Sequence, residues 1–177
     1  MSYTAVVMRK KLSLTNRLGY FVATGAGAGF APVAPGTFGA AEGVLLFLIV
    51  NAFVNNKLAL APVWSLLSLA IINIALFAIG VWSSNRAIEA TGVKDPSTVV
   101  VDEVSGQLIS LTPLILAPSL AGIFVAFALF RFFDIFKPYP VRKLEHLPRG
   151  LGVMADDALA GIYAAALVWL GMLLNLI

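Results

Sequence analysis

Three charges spaced three apart, Arg131, Asp134 and Lys137, close an apolar run within the block Phe130-Arg131-Phe132-Phe133-Asp134-Ile135-Phe136-Lys137-Pro138-Tyr139-Pro140. On a helix they share one face, and the two prolines end that helix soon afterwards. Two acidic pairs, Asp102-Glu103 and Asp156-Asp157, stand beside other apolar runs, and a stretch of small residues leads through Gly36 into Thr37. Five carboxylates gathered in one place would repel one another unless something positive lay among them. Arg131 and Lys137 supply part of that charge, and the remaining excess suits a hard divalent cation, which takes oxygen ligands and keeps some water. Magnesium held in this way works on phosphates, orienting the group and stabilising charge on its oxygens. Arginine's planar fork fits phosphate oxygens, and lysine meets them as a point charge. A glycine-rich loop entering a helix offers backbone N–H groups to an anion, with the Thr37 hydroxyl beside them.

The elements that must position these groups are apolar. The 177 residues suit one domain, and 60% are hydrophobic against 12% charged, far from soluble usage, where about a quarter are charged. The chain therefore reads as an all-α membrane bundle. It has no cysteine, which excludes disulfides, thiolate metal sites and cysteine nucleophiles. Residues 1–17, with Arg9, Lys10, Lys11 and Arg17, read as a retained cytoplasmic tail rather than a signal peptide. The net charge of +3 is spread in short basic clusters between apolar runs. That pattern suits anionic lipid headgroups, not nucleic acid.

Along the chain, only Leu18 to Thr24 is expected to be helical before a glycine- and proline-rich loop that ends at Gly36. Thr37 is expected to cap a first span running to about Val54. Asn55-Asn56-Lys57 reads as a turn, and 62–83 as a second span. Polar sequence follows from Ser84 to Glu103. Val104 to Leu116 is short, and either crosses tilted or dips in and returns. Leu120 to Phe136 is the next span, then a basic loop from Lys137 to Gly152, and a last span to about Asn175. With these five membrane-embedded helices and a cytoplasmic N-terminus, the inside segments hold Arg9, Lys10, Lys11, Arg17, Arg86, Lys94, Arg131, Lys137, Arg142, Lys143 and Arg149, and the outside only Lys57. This is a strong positive-inside bias. It places the glycine loop and all three charged blocks at the cytoplasmic membrane surface. Residue types and placement together describe a magnesium-dependent enzyme acting on a phosphorylated, membrane-resident substrate.

Each block also has a plainer reading. Asp102-Glu103 and Asp156-Asp157 could be solvated pairs at helix starts, Arg131–Asp134 an intrahelical ion pair, and the glycines close packing between membrane helices. Their joint placement on one side favours a cluster. His146, the only histidine, reads as an interfacial loop residue. Glu42, early in the first span, is expected to face a polar cavity.

At these residues the chain resembles the phosphatidylglycerophosphatase A family. The matching blocks are Gly27-Ala28-Gly29-Phe30-Ala31-Pro32-Val33-Ala34-Pro35-Gly36-Thr37-Phe38-Gly39, Asp95 through Val101-Asp102-Glu103 to Gly106, the Phe130–Pro140 block, and Gly150-Leu151-Gly152-Val153-Met154-Ala155-Asp156-Asp157 to Ala160-Gly161. They cover about residues 20–165 in the family's order. The resemblance implies a magnesium-dependent phosphatase that removes the terminal phosphate of phosphatidylglycerol phosphate, in the inner membrane of bacteria. It carries over Asp102, Glu103, Asp134, Asp156 and Asp157 as acidic site and metal residues, and Arg131, Lys137, Gly36 and Thr37 as phosphate binders, with Asp134, Asp102, Asp156 and Thr37 the catalytic set. Direct attack by water with one carboxylate as base is the expected chemistry, and an aspartyl-phosphate or phosphothreonine intermediate stays open. Ala40-Ala41-Glu42 departs from the family's small or aliphatic residues.

Residue counts set other phosphatase chemistries aside. One histidine is too few for the two-histidine lipid phosphatases, no DxDxT-like strand motif is present, and the spaced acid pattern of CDP-alcohol phosphotransferases is absent. A small transporter or scaffold is the competing class. It would set its essential charges deep within spans rather than at one interface. Nothing in the sequence fixes an oligomeric state.

Overall fold

The computed structural model describes residues 13–177, so most of the basic tail, with Arg9, Lys10 and Lys11, lies outside the described residues. Among the described residues there are seven α-helices and no strand. Helix α1 runs Leu14–Ala23, about one turn earlier than Leu18, because the Ser13 hydroxyl accepts from the Asn16 N–H at 3.2 Å and caps it. A short 3-10 segment, Gly25–Phe30, follows, broken by the positive φ of Ala26 and Gly27. Helix α2 is Pro35–Asn51. It is entered through Ala34, which is left-handed at φ 49, and Pro35 takes the first helical position. Thr37 is therefore not the cap. It sits in the first turn, where its N–H donates to the Ala34 carbonyl at 2.9 Å.

The expected turn at Asn55 is instead a π-helical continuation, Ala52–Lys57. The Asn55 side-chain amide there donates to the Ile115 carbonyl at 2.7 Å and the Asn51 side chain at 2.8 Å, and accepts from the Ser65 hydroxyl. Helix α3, Pro62–Thr91, runs eight residues beyond the expected 83 and stops where Gly92 turns left-handed at φ 74. Its polar extension stays helical because α1 covers it. Gly19 of α1 lies so close to Arg86 that a Cβ there would come within 2.4 Å of it.

Helix α4, Val101–Ser110, is the axis of the fold. Seven of its ten residues are buried, with α2, α3, α5 and α7 packed around it. At about 1.5 Å per residue it is roughly 15 Å long, and the 3-10 turn Thr112–Ile115 follows it. Helix α5 spans Leu120–Phe136, as expected, with the Ser119 hydroxyl as its cap. The basic loop contains a short helix, α6, Val141–Leu144. Helix α7 is Gly150–Leu173 and starts before the Asp156-Asp157 pair, not at it.

Among the described residues, three helical stretches are long and apolar enough to cross a membrane: Pro35–Asn55, Pro62–Thr91 and Gly150–Leu173. Their outer faces carry large apolar side chains such as Ile71 (66% exposed) and Ile74 (71%), joined by Phe124 of α5 (73%). In water this would be an aggregating surface; against lipid it is the ordinary one. The interior core, Phe47, Leu69, Leu108, Leu111, Leu114 and Ile115 among others, fills the end of the bundle away from the acidic residues.

Candidate active site

Glycines set the distances at the acidic end. Gly36, Gly39 and Gly43 line one side of α2. A Cβ on Gly39 would meet the Val100 carbonyl at 2.8 Å, and one on Gly43 the Val104 carbonyl at 2.7 Å. The first turn of α2 is thus pressed on α4, and a Cβ at Gly36 would collide with Glu103 Oε1. On the other side, a Cβ at Gly161 would lie 2.3 Å from the Gly106 carbonyl oxygen, so α4 and α7 touch backbone to backbone. Asp102 and Asp157 each stand four residues before one of these glycines, on the same helical face. The crossing therefore turns the two carboxylates toward each other.

The result is a three-carboxylate group. Ligand oxygens of Asp102, Glu103 and Asp157 all lie within 4.8 Å of one another, a spacing near what one hard cation needs with metal–oxygen distances of about 2.0–2.6 Å. Asp102 Oδ1, Glu103 Oε2 and Asp157 Oδ2 are buried with no hydrogen-bond partner, as is Asp156 Oδ1. Buried charged oxygens without partners cost several kcal/mol each, and a bound cation would satisfy them. The donor set is all oxygen, which suits magnesium rather than a softer metal.

The remaining acids line the same cavity, about 280 Å³ in volume, and three of them, Asp134, Glu145 and Asp156, are tied to a cation. Arg131 donates to Asp134 Oδ2 at 2.6 Å across one turn of α5. Lys137 ends α5 in a left-handed conformation, φ 45. Its ammonium reaches Asp156 Oδ2 at 2.5 Å and Glu145 Oε1 at 2.8 Å. The stripe thus holds an ion pair, Arg131–Asp134, and lends Asp134 and Lys137 to the wall of the site.

The cavity wall holds Asp95, Asp102, Glu103, Asp134, Glu145, Asp156 and Asp157 against Lys94, Lys137 and Arg149, seven acids to three bases. Lys94, Glu145 and Arg149 were not among the residues singled out from sequence. Arg149 caps α7 at φ 52, ψ −139, a region that side chains other than glycine's avoid. Arg131 stands behind Asp134 rather than in the wall, and Thr37 is exposed on α2, also outside it. Glu42 does not face a polar cavity. It lies against Gly25 in a groove lined by Phe21, Leu45, Leu46, Ile49 and Leu76, open on its apolar side.

Burial alone would lower the Lys137 pKa, but its hydrogen bonds to Asp156 and Glu145 outweigh this and raise it above the ordinary lysine value. The hydrogen bond from Lys137 holds Glu145 below the ordinary glutamate value. With a raised lysine, the stabilisation is full below the unfolded pKa of about 10.4 and is lost as pH rises through the folded value. With a lowered glutamate, it is full above the unfolded pKa of about 4.3 and is lost as pH falls through the folded value. The stability difference between wild type and Glu145→Gln, measured by thermal unfolding in detergent, is therefore expected to stay flat from about pH 5 to about pH 10 and to shrink in stronger acid. A step between pH 6 and 8 would contradict the pairing.

Comparison with known proteins finds relatives along most of the chain. The family model for phosphatidylglycerophosphatase A matches residues 21–172. A phosphatidylglycerophosphatase A of Haemophilus influenzae is 38% identical, covering 90% of this chain and 91% of its own length. That of Escherichia coli is 30% identical, covering 92% and 88%. A Bacteroides thetaiotaomicron protein named "Putative phosphatidylinositol-3-phosphatase" is 40% identical, covering 83% and 89%. No solved structure gives a significant match.

Proposed function

The chain belongs to the phosphatidylglycerophosphatase A family, and from that membership we propose that it hydrolyses the terminal phosphomonoester of phosphatidylglycerol phosphate to phosphatidylglycerol and phosphate. This is a step of phospholipid synthesis. The observation that carries the reading is the meeting of Asp102, Glu103 and Asp157 within 4.8 Å at one end of an apolar bundle.

In this reading Asp102, Glu103 and Asp157 hold magnesium, with Asp134 and Asp156 beside them. When bound, the ion would orient the phosphate oxygens and neutralise charge that develops on them. Lys137 presents its ammonium to the phosphate while anchored by Asp156 and Glu145. Arg131 fixes Asp134, and Gly36 at the start of α2 packs against Glu103 from the other side. Asp134 or Asp156, each with one oxygen held by a cation, takes the proton of the attacking water. The water oxygen bonds to phosphorus, the phosphorus–oxygen bond to glycerol breaks, and the proton returns to the leaving alkoxide.

Five membrane-embedded helices, α2, α3, α4, α5 and α7, with the site on the cytoplasmic side of a bacterial inner membrane, accord with the basic residues counted above. The lipid tails then stay in the bilayer while the headgroup enters the cavity.

Detergent-solubilised protein is expected to release phosphate from phosphatidylglycerol phosphate with magnesium and not after chelation. It should do so faster than from phosphatidylinositol 3-phosphate, the headgroup in the Bacteroides relative's name. No release from the first lipid, or release indifferent to chelation, would sink the respective half of the reading. In a single turnover in labelled water, the label should appear first in phosphate; label arriving first in the protein would replace direct attack with a phospho-enzyme.

A further inference from the structure

Beside the acidic cavity lies a second pocket of about 360 Å³, lined by Lys137, Tyr139, Pro140, Arg142, Lys143 and His146. Lys137 belongs to both walls, so the two pockets adjoin at this residue. Their signs are opposite: no carboxylate lines the second. Lys143 is held in place there, its ammonium 4.8 Å above the Tyr139 ring. Tyr139 in its lining is 77% exposed, and Phe136, next to Lys137 in the chain, is 64% exposed. Tyrosine is enriched at the level of lipid headgroups.

The proposed substrate carries two phosphates of different kinds. The monoester is the one cleaved. The diester, one glycerol unit away, joins the headgroup to the diacylglycerol and remains in the product. The acidic cavity repels this second anion. Resting on the function proposed above, we infer that the Arg142–Lys143 pocket is the subsite for the lipid's phosphodiester. It would let the enzyme distinguish a lipid with two phosphates from a soluble phosphomonoester. Lys137, between the pockets, would face both phosphates. Arg142 and Lys143 are specificity-determining residues in this arrangement and touch no reacting atom.

The test compares two substrates on the full-length protein in neutral-detergent micelles: phosphatidylglycerol phosphate, and water-soluble glycerol phosphate, which has no diester. For the double variant Arg142→Gln/Lys143→Gln, the ratio of kcat/KM on lipid to that on soluble monoester is expected to fall about tenfold, through KM. The charge-preserving pair Arg142→Lys/Lys143→Arg should keep most of the ratio. An unchanged ratio in a variant that still cleaves the lipid overturns the subsite alone. A fall seen only in micelles doped with anionic lipid overturns it too, in favour of bulk attraction to a charged surface. A wild-type protein that cleaves glycerol phosphate but not the lipid overturns the parent reading together with the subsite.

Discussion

Asp157→Asn is expected to reduce phosphate release from phosphatidylglycerol phosphate by about 10³-fold, the loss of ~4 kcal/mol of transition-state stabilisation. Asp157 is 3% exposed and belongs to the group of three whose ligand oxygens converge. Asparagine keeps its shape but removes the charge that a cation would meet. The same change relieves the folded protein. It takes one carboxylate from a buried cluster in which Asp102, Glu103, Asp134 and Asp156 crowd the same cavity. Without divalent cations the variant should therefore unfold at or above the wild-type temperature, and magnesium should raise its melting point less than it raises the wild type's. Activity within tenfold of wild type would remove Asp157 from the site. A variant that fails to fold would be replaced by Asp102→Asn, for which the same pair of readouts is expected.

Gly161→Ala is expected to lose activity by about 10²-fold although residue 161 touches no substrate. Its Cβ would sit 2.3 Å from the Gly106 carbonyl oxygen. That atom is backbone, which cannot swing aside, so the two helices must separate by about 1 Å to restore an ordinary contact. Overpacking of this kind costs roughly 1–3 kcal/mol of stability, and a displacement of about 1 Å at a reacting centre can cost about 10²-fold in rate. The carboxylates of Asp102 and Asp157, one turn away on each helix, would move apart with the backbones. Gly171→Ala is the control. It lies on the same helix, where a Cβ would meet only the flexible Ile177 side chain at 3.1 Å, and it should leave activity close to wild type. Equal loss in both variants would mean that α7 tolerates no added methyl group, and the crossing would lose its special role.

Much of the site could be read from the sequence because charges are conspicuous in an apolar chain. Each acidic or basic block beside an apolar run had to emerge near a membrane surface, and counting cations by side brought the blocks to one level. Which carboxylate meets which could not be read that way. The Lys137–Asp156 and Lys137–Glu145 pairs depend on how the chain turns after α5, and periodicity carries no information about that turn. Glu145 and Arg149 looked like ordinary members of a basic loop. Glycine patterns announced close packing but not its partners, so the α4–α7 crossing was invisible. Helix ends were misplaced where tertiary cover decided them. Ser84 to Thr91 is polar, yet it stays helical because α1 lies against it. Glu42 misled because a carboxylate early in a span suggests polar surroundings, whereas its neighbours in the structure are Phe21, Leu45 and Ile49.

Arg149 joins two demands that cannot both be met in full. Its backbone conformation, φ 52 and ψ −139, is one in which glycine would be more comfortable by about 1 kcal/mol or more, while its side chain lines the acidic cavity. No ion pair among the described residues involves it, so removing the guanidinium would strand no buried partner. Directed evolution for heat resistance would be drawn to glycine at this codon, yet that change would take one of three cations from a cavity wall that holds seven acids. An engineer seeking a hardier enzyme should therefore leave position 149 alone and look for stability on the lipid-facing side of the bundle.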